Sequence, residues 1–166
     1  MARPIAEQPH MPSYGVGKDD WEPLPWSWAA ERLINARNFW VVTVSNGGRP
    51  HALPVWGVWD DDALRFGFFA APDARKVANM RANPQVVITG PDTVEAISIE
   101  GRAVELTGTE SVEPWIRAYI AKYGPDSVDP KFLRSNASFE VIPERAFGVI
   151  EREDEFSTRA TRWRFP

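Results

Sequence analysis

The chain has 166 residues, 43% of them hydrophobic, and a net charge of −4; that suffices for one packed domain and argues against a protein that coats nucleic acid or an anionic membrane. It has no cysteine, and His10 and His51 are its only histidines, which excludes disulfides, thiolate catalysis and cysteine-ligated metals and argues against a multi-histidine metal site. No apolar run has the length of a membrane-spanning helix and the N-terminus lacks the pattern of a signal peptide, so a cytoplasmic protein with no membrane or nucleic-acid partner is expected.

Residues 1–25 are rich in Pro, Gly and charge ("EQPHMPSYGVGKDDWEPLP") and read as an extended N-terminal arm, with Trp21 and Trp26 pinning it to the body. A single domain is expected over 26–166. Ser27 is placed to cap a short helix, "WAAERLINARN", with Ala30, Leu33 and Ile34 on one side. The strand "FWVVTVS" ends at Asn46-Gly47-Gly48, a hairpin signal because both turn positions tolerate positive φ. "RPHALPVWGVWD" pairs back to it, with Pro50 and Pro54 at a strand start, edge or bulge because they lack donors. Asp60-Asp61-Asp62 turns the chain into "ALRFGFFA". Next come a short helix over 73–82 and the strand "QVVITG". The long strand "TVEAISIEGRAVELTG" should bend at Gly101.

A helix over 112–123 carries an apolar stripe of Trp115, Ile116, Tyr119 and Ile120, and Gly124 ends it. After a "PDSVDPKFLR" loop comes "SFEVIPERAFGVIE", interrupted at Pro143. The acidic run Glu151, Glu153, Asp154 and Glu155 reads as a solvated loop. In the tail "ATRWRF", Arg162 and Arg164 share one face and Thr161, Trp163 and Phe165 the other. The sum is a mainly β fold: about six strands, two or three short helices, and an antiparallel sheet closed into a barrel. Eight tryptophans require flat apolar surfaces, in the core or against a flat ligand.

The helix over 73–82 carries an electrostatic oddity. Arg75 and Lys76 stand in its first turn, where the macrodipole favours Asp or Glu. A bound anion would reverse the penalty, since free N–H groups and both cations would meet it together. The plain alternative is that both side chains point to water. Arg81, near the other end, suits the dipole. His51 reads as an exposed or satisfied histidine rather than a proton donor.

The runs "RPHALPVW" and "RKVANMRANPQV", with "ISIEGRAVEL" and the terminal "TRWRF", resemble the pyridoxamine-phosphate-oxidase-like split β-barrel superfamily over roughly residues 27–166. They look most like its flavin/deazaflavin oxidoreductases, many of which use coenzyme F420. The resemblance implies a six-stranded split barrel and a homodimer with the cofactor at the subunit interface. It implies that Arg75 and Lys76 hold the coenzyme phosphate, that Pro54, Val55 and Trp56 line the ring system, and that Ala70 lies in the segment ahead of the phosphate. Asn79 and Asn83-Pro84 are framework: a polar anchor and a helix stop.

Trp163 would flank the ring and Arg162 would meet an anionic tail; a closing strand with solvated arginines is the competing reading of that region. Where relatives often carry Ser or Thr ahead of Arg75, this chain has Phe69, Ala70, Ala71 and Ala74. The expected function is hydride transfer from bound F420 to a small organic substrate, with no dedicated catalytic acid–base pair. FMN is the alternative coenzyme, and a non-catalytic flavin-binding or storage protein the alternative function. Arg159, Arg162 and Arg164 favour the deazaflavin, whose oligoglutamate tail adds negative charge.

Overall fold

The computed structural model describes residues 2–17 and 19–166; Met1 and Lys18 of the N-terminal arm lie outside the described residues. The described residues form nine strands: β1 (Ile5–Glu7), β2 (Asn38–Val44), β3 (Pro50–Trp56), β4 (Val58–Asp60), β5 (Arg65–Ala70), β6 (Gln85–Thr89), β7 (Glu95–Leu106), β8 (Ala137–Ile150) and β9 (Thr161–Arg164). Among the described residues five α-helices, α1 (Trp26–Asn35), α2 (Arg75–Ala82), α3 (Thr109–Tyr123), α4 (Pro130–Ser135) and α5 (Phe156–Arg159), and one 3-10 turn (Pro12–Tyr14) separate them.

Every strand pairing is antiparallel, in the order β1-β9-β8-β7-β6-β2-β3, with β5 joining β8 and β4 joining β5. The sheet is therefore mainly β as expected, but it has nine strands rather than six and is open rather than closed. Its split has a local cause at Gly57. There the chain leaves the ladder with β2 and turns onto β5, and a Cβ at Gly57 would overlap the Phe66 ring. β3 therefore runs close to β5 without pairing with it.

The two faces alternate as strand geometry requires. One row crosses the sheet as Leu53, Val41, Ile88, Ile99, Ala146, Trp163 and Ala6, and its middle members are the core. The adjacent row is Pro54, Trp40, Thr89, Ser98, Phe147, Arg162 and Glu7, on the outer face.

Several local expectations change. Pro25, not Ser27, occupies the N-cap of α1, and no side chain caps it. Ala30 and Leu33 are buried there, whereas Ile34 is exposed. In the β2–β3 hairpin only Gly48 has a positive φ, 78°. Its amide donates to the Ser45 carbonyl at 2.8 Å and the Ser45 amide to Arg49 at 2.9 Å. This is a three-residue loop that needs one left-handed position, where glycine is free of the Cβ penalty. Both prolines of β3 sit on an edge strand, as their missing donors demand. The "PDSVDPKFLR" loop contains α4, capped by the Asp129 carboxylate accepting from the Lys131 amide at 2.8 Å.

The arm is not featureless. Its strand β1 pairs with β9, Trp21 Nε1 donates to the Ala160 carbonyl at 2.9 Å, and Leu24 is fully buried. Trp26, by contrast, belongs to α1 and packs edge-on against Trp163 and Phe165 at centroid distances of 5.6 and 5.3 Å.

The expected bend at Gly101 is present, where the β7–β8 register shifts between Glu100 and Gly101. A Cβ at Gly101 would overlap the Ile142 carbonyl oxygen. Backbone cannot move aside as a side chain can, so Gly101→Ala is expected to destabilise the fold by about 1–3 kcal/mol, read as a lower urea midpoint with an unchanged slope. A midpoint equal to wild type would mean that the bulge relaxes freely.

Candidate functional site

α2 begins at an Ala74 N-cap with no side-chain cap and no acid in its first turn. The Ala74 carbonyl accepts from Val77 at 2.9 Å and Ala78 at 3.3 Å. Among the described residues, no acceptor meets the backbone N–H groups of Arg75 and Lys76, as expected for a first turn. Among the described residues, neither side chain pairs with a carboxylate. Arg75 Nη1 lies 2.6 Å from His51 Nε2; a guanidinium can only donate, so the imidazole nitrogen accepts. That satisfies His51 in the manner expected of it. Lys76 is half-buried with no hydrogen bond among the described residues, and burial pulls its ammonium below the usual lysine range.

The rest of α2 is anchored without these two residues. Val77 and Met80 are in the core, and Asn79, itself buried, donates to Thr43 Oγ1 at 2.9 Å. Asn79 is thus the polar anchor expected. Arg81 makes a two-pronged pair with Glu105, at 2.8 and 2.6 Å, consistent with its structural reading. Ahead of the helix, Ala70 is buried at the end of β5, and Phe69 turns the other way, edge-on to Tyr119 at 4.9 Å. An anion here would find two free amides, a guanidinium and an ammonium, and no hydroxyl from 69–71 or 74. That donor set fits a phosphate.

The neighbouring edge strand β3 alternates. Pro54 is exposed on the outer face and Val55 is buried. The Trp56 indole stacks on Tyr123 at 4.4 Å and 14°, with the Arg37 guanidinium 5.3 Å from the Trp56 ring. Its ring is therefore engaged by α3, and only its backbone remains at the strand edge. Leu53 was missed by sequence reasoning. It is 45% exposed on the face that elsewhere forms the core, because its row ends at the unpaired edge of β3. The β2–β3 register, Leu53 opposite Val41, is the signal that would have found it.

β9 divides its two candidates between faces. Trp163 is completely buried, stacked on Trp28 and packed against Trp26; in this chain it is core. Arg162 is on the outer face, in the same row as Pro54 but five strands away, roughly 24 Å at 4.8 Å per strand. Arg162 and Arg164 both pair with Glu7, at 3.0 and 3.1 Å, and Arg159 pairs with Glu155 at 3.1 Å. The three arginines expected to meet an anionic tail are thus already partnered. The tryptophans are likewise mostly committed: Trp26, Trp59, Trp115 and Trp163 are buried, and Trp40, at 44%, is the exposed one.

A sizeable cavity lies elsewhere. It encloses about 610 Å³ between α3 and the β4–β5 hairpin, over Ile34, Trp59, Leu106 and Trp115, with Asp60, Asp62, Glu110 and Glu140 at its rim. It has carboxylates and no cation in its lining, so it does not suit a phosphate.

A second feature that sequence reasoning did not single out flanks the seam. Lys122 Nζ donates to the Gly57 carbonyl at 2.8 Å, 4.9 Å from the Phe39 ring centroid and 5.5 Å from that of Tyr123. Burial lowers its pKa from 10.5 to about 8. Between those values the unfolded chain holds the proton and the folded chain does not, so stability should rise with pH from about 8 to about 10.5. The other groups around it are Arg37, Tyr119 and Tyr123, and burial pushes both phenols up from the ordinary value of 10.0; they titrate in the unfolded chain first, so their effect is a loss of stability that sets in near pH 10 and overlaps the end of the rise. Lys122→Met should shrink the rise to the part contributed by Lys76, whose pKa burial also lowers, as measured by urea unfolding at pH 7, 8, 9 and 10. Parallel curves for the two proteins would refute the assignment.

Comparison with known proteins adds to this geometry. The family model for pyridoxamine 5'-phosphate oxidase matches residues 29–151. No match was found among curated proteins. A conserved hypothetical protein from Mycobacterium tuberculosis superposes with a TM-score of 0.67 at 18% identity, over 81% of this chain and 89% of that one. A FAD-binding protein from Mesorhizobium loti gives 0.60 at 17% identity, over 86% and 96%. An F420 reductase gives 0.59 at 17% identity, over 74% and 98%. At these identities the structural likeness speaks for the fold, while the family model spans most of the sheet and both cations of α2. The chain belongs to the pyridoxamine 5'-phosphate oxidase family.

Proposed function

We propose that this protein is an oxidoreductase that binds a phosphate-bearing flavin-type coenzyme at the seam between β3 and β5. The observation that carries the reading is the pair of cations, Arg75 and Lys76, without carboxylate partners at the uncapped N-terminus of α2. Both would hold the coenzyme phosphate together with the two free amides. Pro54, Val55 and Trp56 would offer the strand edge to the ring system, Leu53 an apolar wall, and Ala70 the floor beside the phosphate. When bound, the coenzyme supplies the hydride carrier; the protein orients it and keeps water from its reactive face. No acid–base pair is assigned, since the ring nitrogen of His51 nearest the site is engaged by Arg75. The substrate is a small oxidised organic molecule.

Coenzyme F420 is the preferred ligand and FMN the alternative. The F420 reductase among the structural neighbours supports the first, and the family description the second. Because Glu7 already neutralises one of the two charges on Arg162 and Arg164, an anionic tail gains from them only modestly, about 0–1 kcal/mol per exposed pair. A homodimer is part of the proposal. Trp40, Pro54 and Ala52 leave an exposed apolar outer face on β2 and β3, and a second copy would cover it and complete the seam.

Catalysis is tested by mixing the protein with reduced F420, or reduced FMN, and an electron-poor quinone under anaerobic conditions. Oxidation of the coenzyme faster than in a protein-free control is the expected result. Binding without turnover of any acceptor would replace the enzyme by a flavin-binding protein, the reading that a FAD-binding neighbour supports.

A further inference from the structure

We propose that one turn of α3, through Tyr119, Lys122 and Tyr123, positions the end of β3 that faces the coenzyme; this rests on the reading of the β3–β5 seam as the coenzyme site. β3 has a ladder on one side only, to β2. At Gly57 the chain leaves that ladder, so the peptides beside the kink lose strand partners. Side chains of α3 replace them. The Tyr119 hydroxyl donates to the Trp56 carbonyl at 2.5 Å. The Tyr123 hydroxyl oxygen accepts from the Gly57 amide at 2.8 Å and, as a donor, lies 2.8 Å from each of the carbonyl oxygens of Arg37 and Gly57. Lys122 Nζ donates to the Gly57 carbonyl at 2.8 Å.

Packing alone does not explain the choice of residues. Among the described residues, the Lys122 ammonium faces two aromatic rings and a carbonyl but no carboxylate. A methionine would fill the same space with no charge to desolvate. What lysine adds is a charge-assisted bond to the peptide that links β3 to β4. The stacked pair Trp56–Tyr123 reinforces the same point from the side. Fixing Trp56 and Gly57 fixes the register in space of Pro54 and Val55, and with it the distance from the ring-lining edge to the phosphate site on α2. These three are positioning residues: they touch backbone, not ligand.

The test uses Lys122→Met, Tyr119→Phe and Lys122→Arg in the full-length protein. Each is titrated with whichever of F420 and FMN the wild type binds, and with the corresponding phosphate-free chromophore. Lys122→Met and Tyr119→Phe should weaken both ligands by the same factor, about three- to tenfold, and Lys122→Arg should recover most of the loss. The proposal is overturned if both variants bind as wild type does, or if only the phosphate-bearing ligand suffers. Wild type that binds neither coenzyme would reject the seam as a coenzyme site instead. In that case hydrogen exchange on the ligand-free protein still decides the positioning role. The peptide covering 52–59 should exchange at least about tenfold faster in Lys122→Met and Tyr119→Phe, and unchanged protection would overturn it.

Discussion

Replacing Arg75 or Lys76 by alanine is expected to lower coenzyme affinity about ten- to hundredfold each, the loss of one charge-assisted hydrogen bond of about 1.5–3 kcal/mol. Stability should not fall with it. α2 is held by Val77, Met80, the Asn79–Thr43 bond and the Arg81–Glu105 pair, none of which involves either cation. Removing a positive charge from a helix N-terminus is itself favourable by about 0.3–1 kcal/mol, and Lys76 also loses its desolvation cost. The expected signature is weaker binding with an equal or higher melting temperature. Calorimetry beside a ligand titration reads both. Two variants that bind as wild type does, or that lose affinity and stability in proportion, would remove the anion site.

Trp163 should show the opposite signature. It is completely buried, edge-on to Trp26, stacked on Trp28 and seated on Gly148, where a Cβ would overlap its ring. Trp163→Ala therefore opens a large cavity at the centre of the core and should cost about 3–5 kcal/mol. Trp163→Phe should cost less, because it retains an aromatic ring and removes an indole N–H that is buried without a partner. Since Trp163 lies on the inner face, remote from the seam along the sheet, Trp163→Phe should leave coenzyme affinity unchanged. Chemical denaturation with a parallel titration checks both parts. A folded, stable Trp163→Phe that has lost the coenzyme would return this residue to the ligand.

What was legible in the sequence was local. α2 reads from the Asn83-Pro84 stop, and the proposed anion site rests on two charges at the wrong end of that eight-residue helix. The bend at Gly101 and the alternation of β9 reflect steric rules with a range of a few residues. What escaped depended on partners far along the chain. β1 is three residues long and carries no pattern of its own; it exists because β9 lies beside it, and with it comes Glu7, which occupies Arg162 and Arg164. Leu53 becomes exposed only because Gly57 diverts the chain and leaves the edge of β3 unpaired. Lys122 acquires its role from the same kink, sixty-five residues away in sequence. The open sheet follows as well: a hairpin count suggests closure, but β3 and β5 run close without pairing, on either side of the kink at Gly57.

The most direct test of the account is a titration of the purified wild-type protein with F420 and with FMN, followed by fluorescence quenching and absorption at two salt concentrations. The account predicts saturable binding of at least one coenzyme, tighter for F420 at low salt, with the difference narrowing as salt screens the exposed arginines, and with both ligands weakened by the Lys76→Ala change. Tighter binding of FMN at every salt concentration would assign the site to FMN. Absence of saturable binding by either coenzyme would contradict the central claim that the N-terminus of α2 is a coenzyme phosphate site.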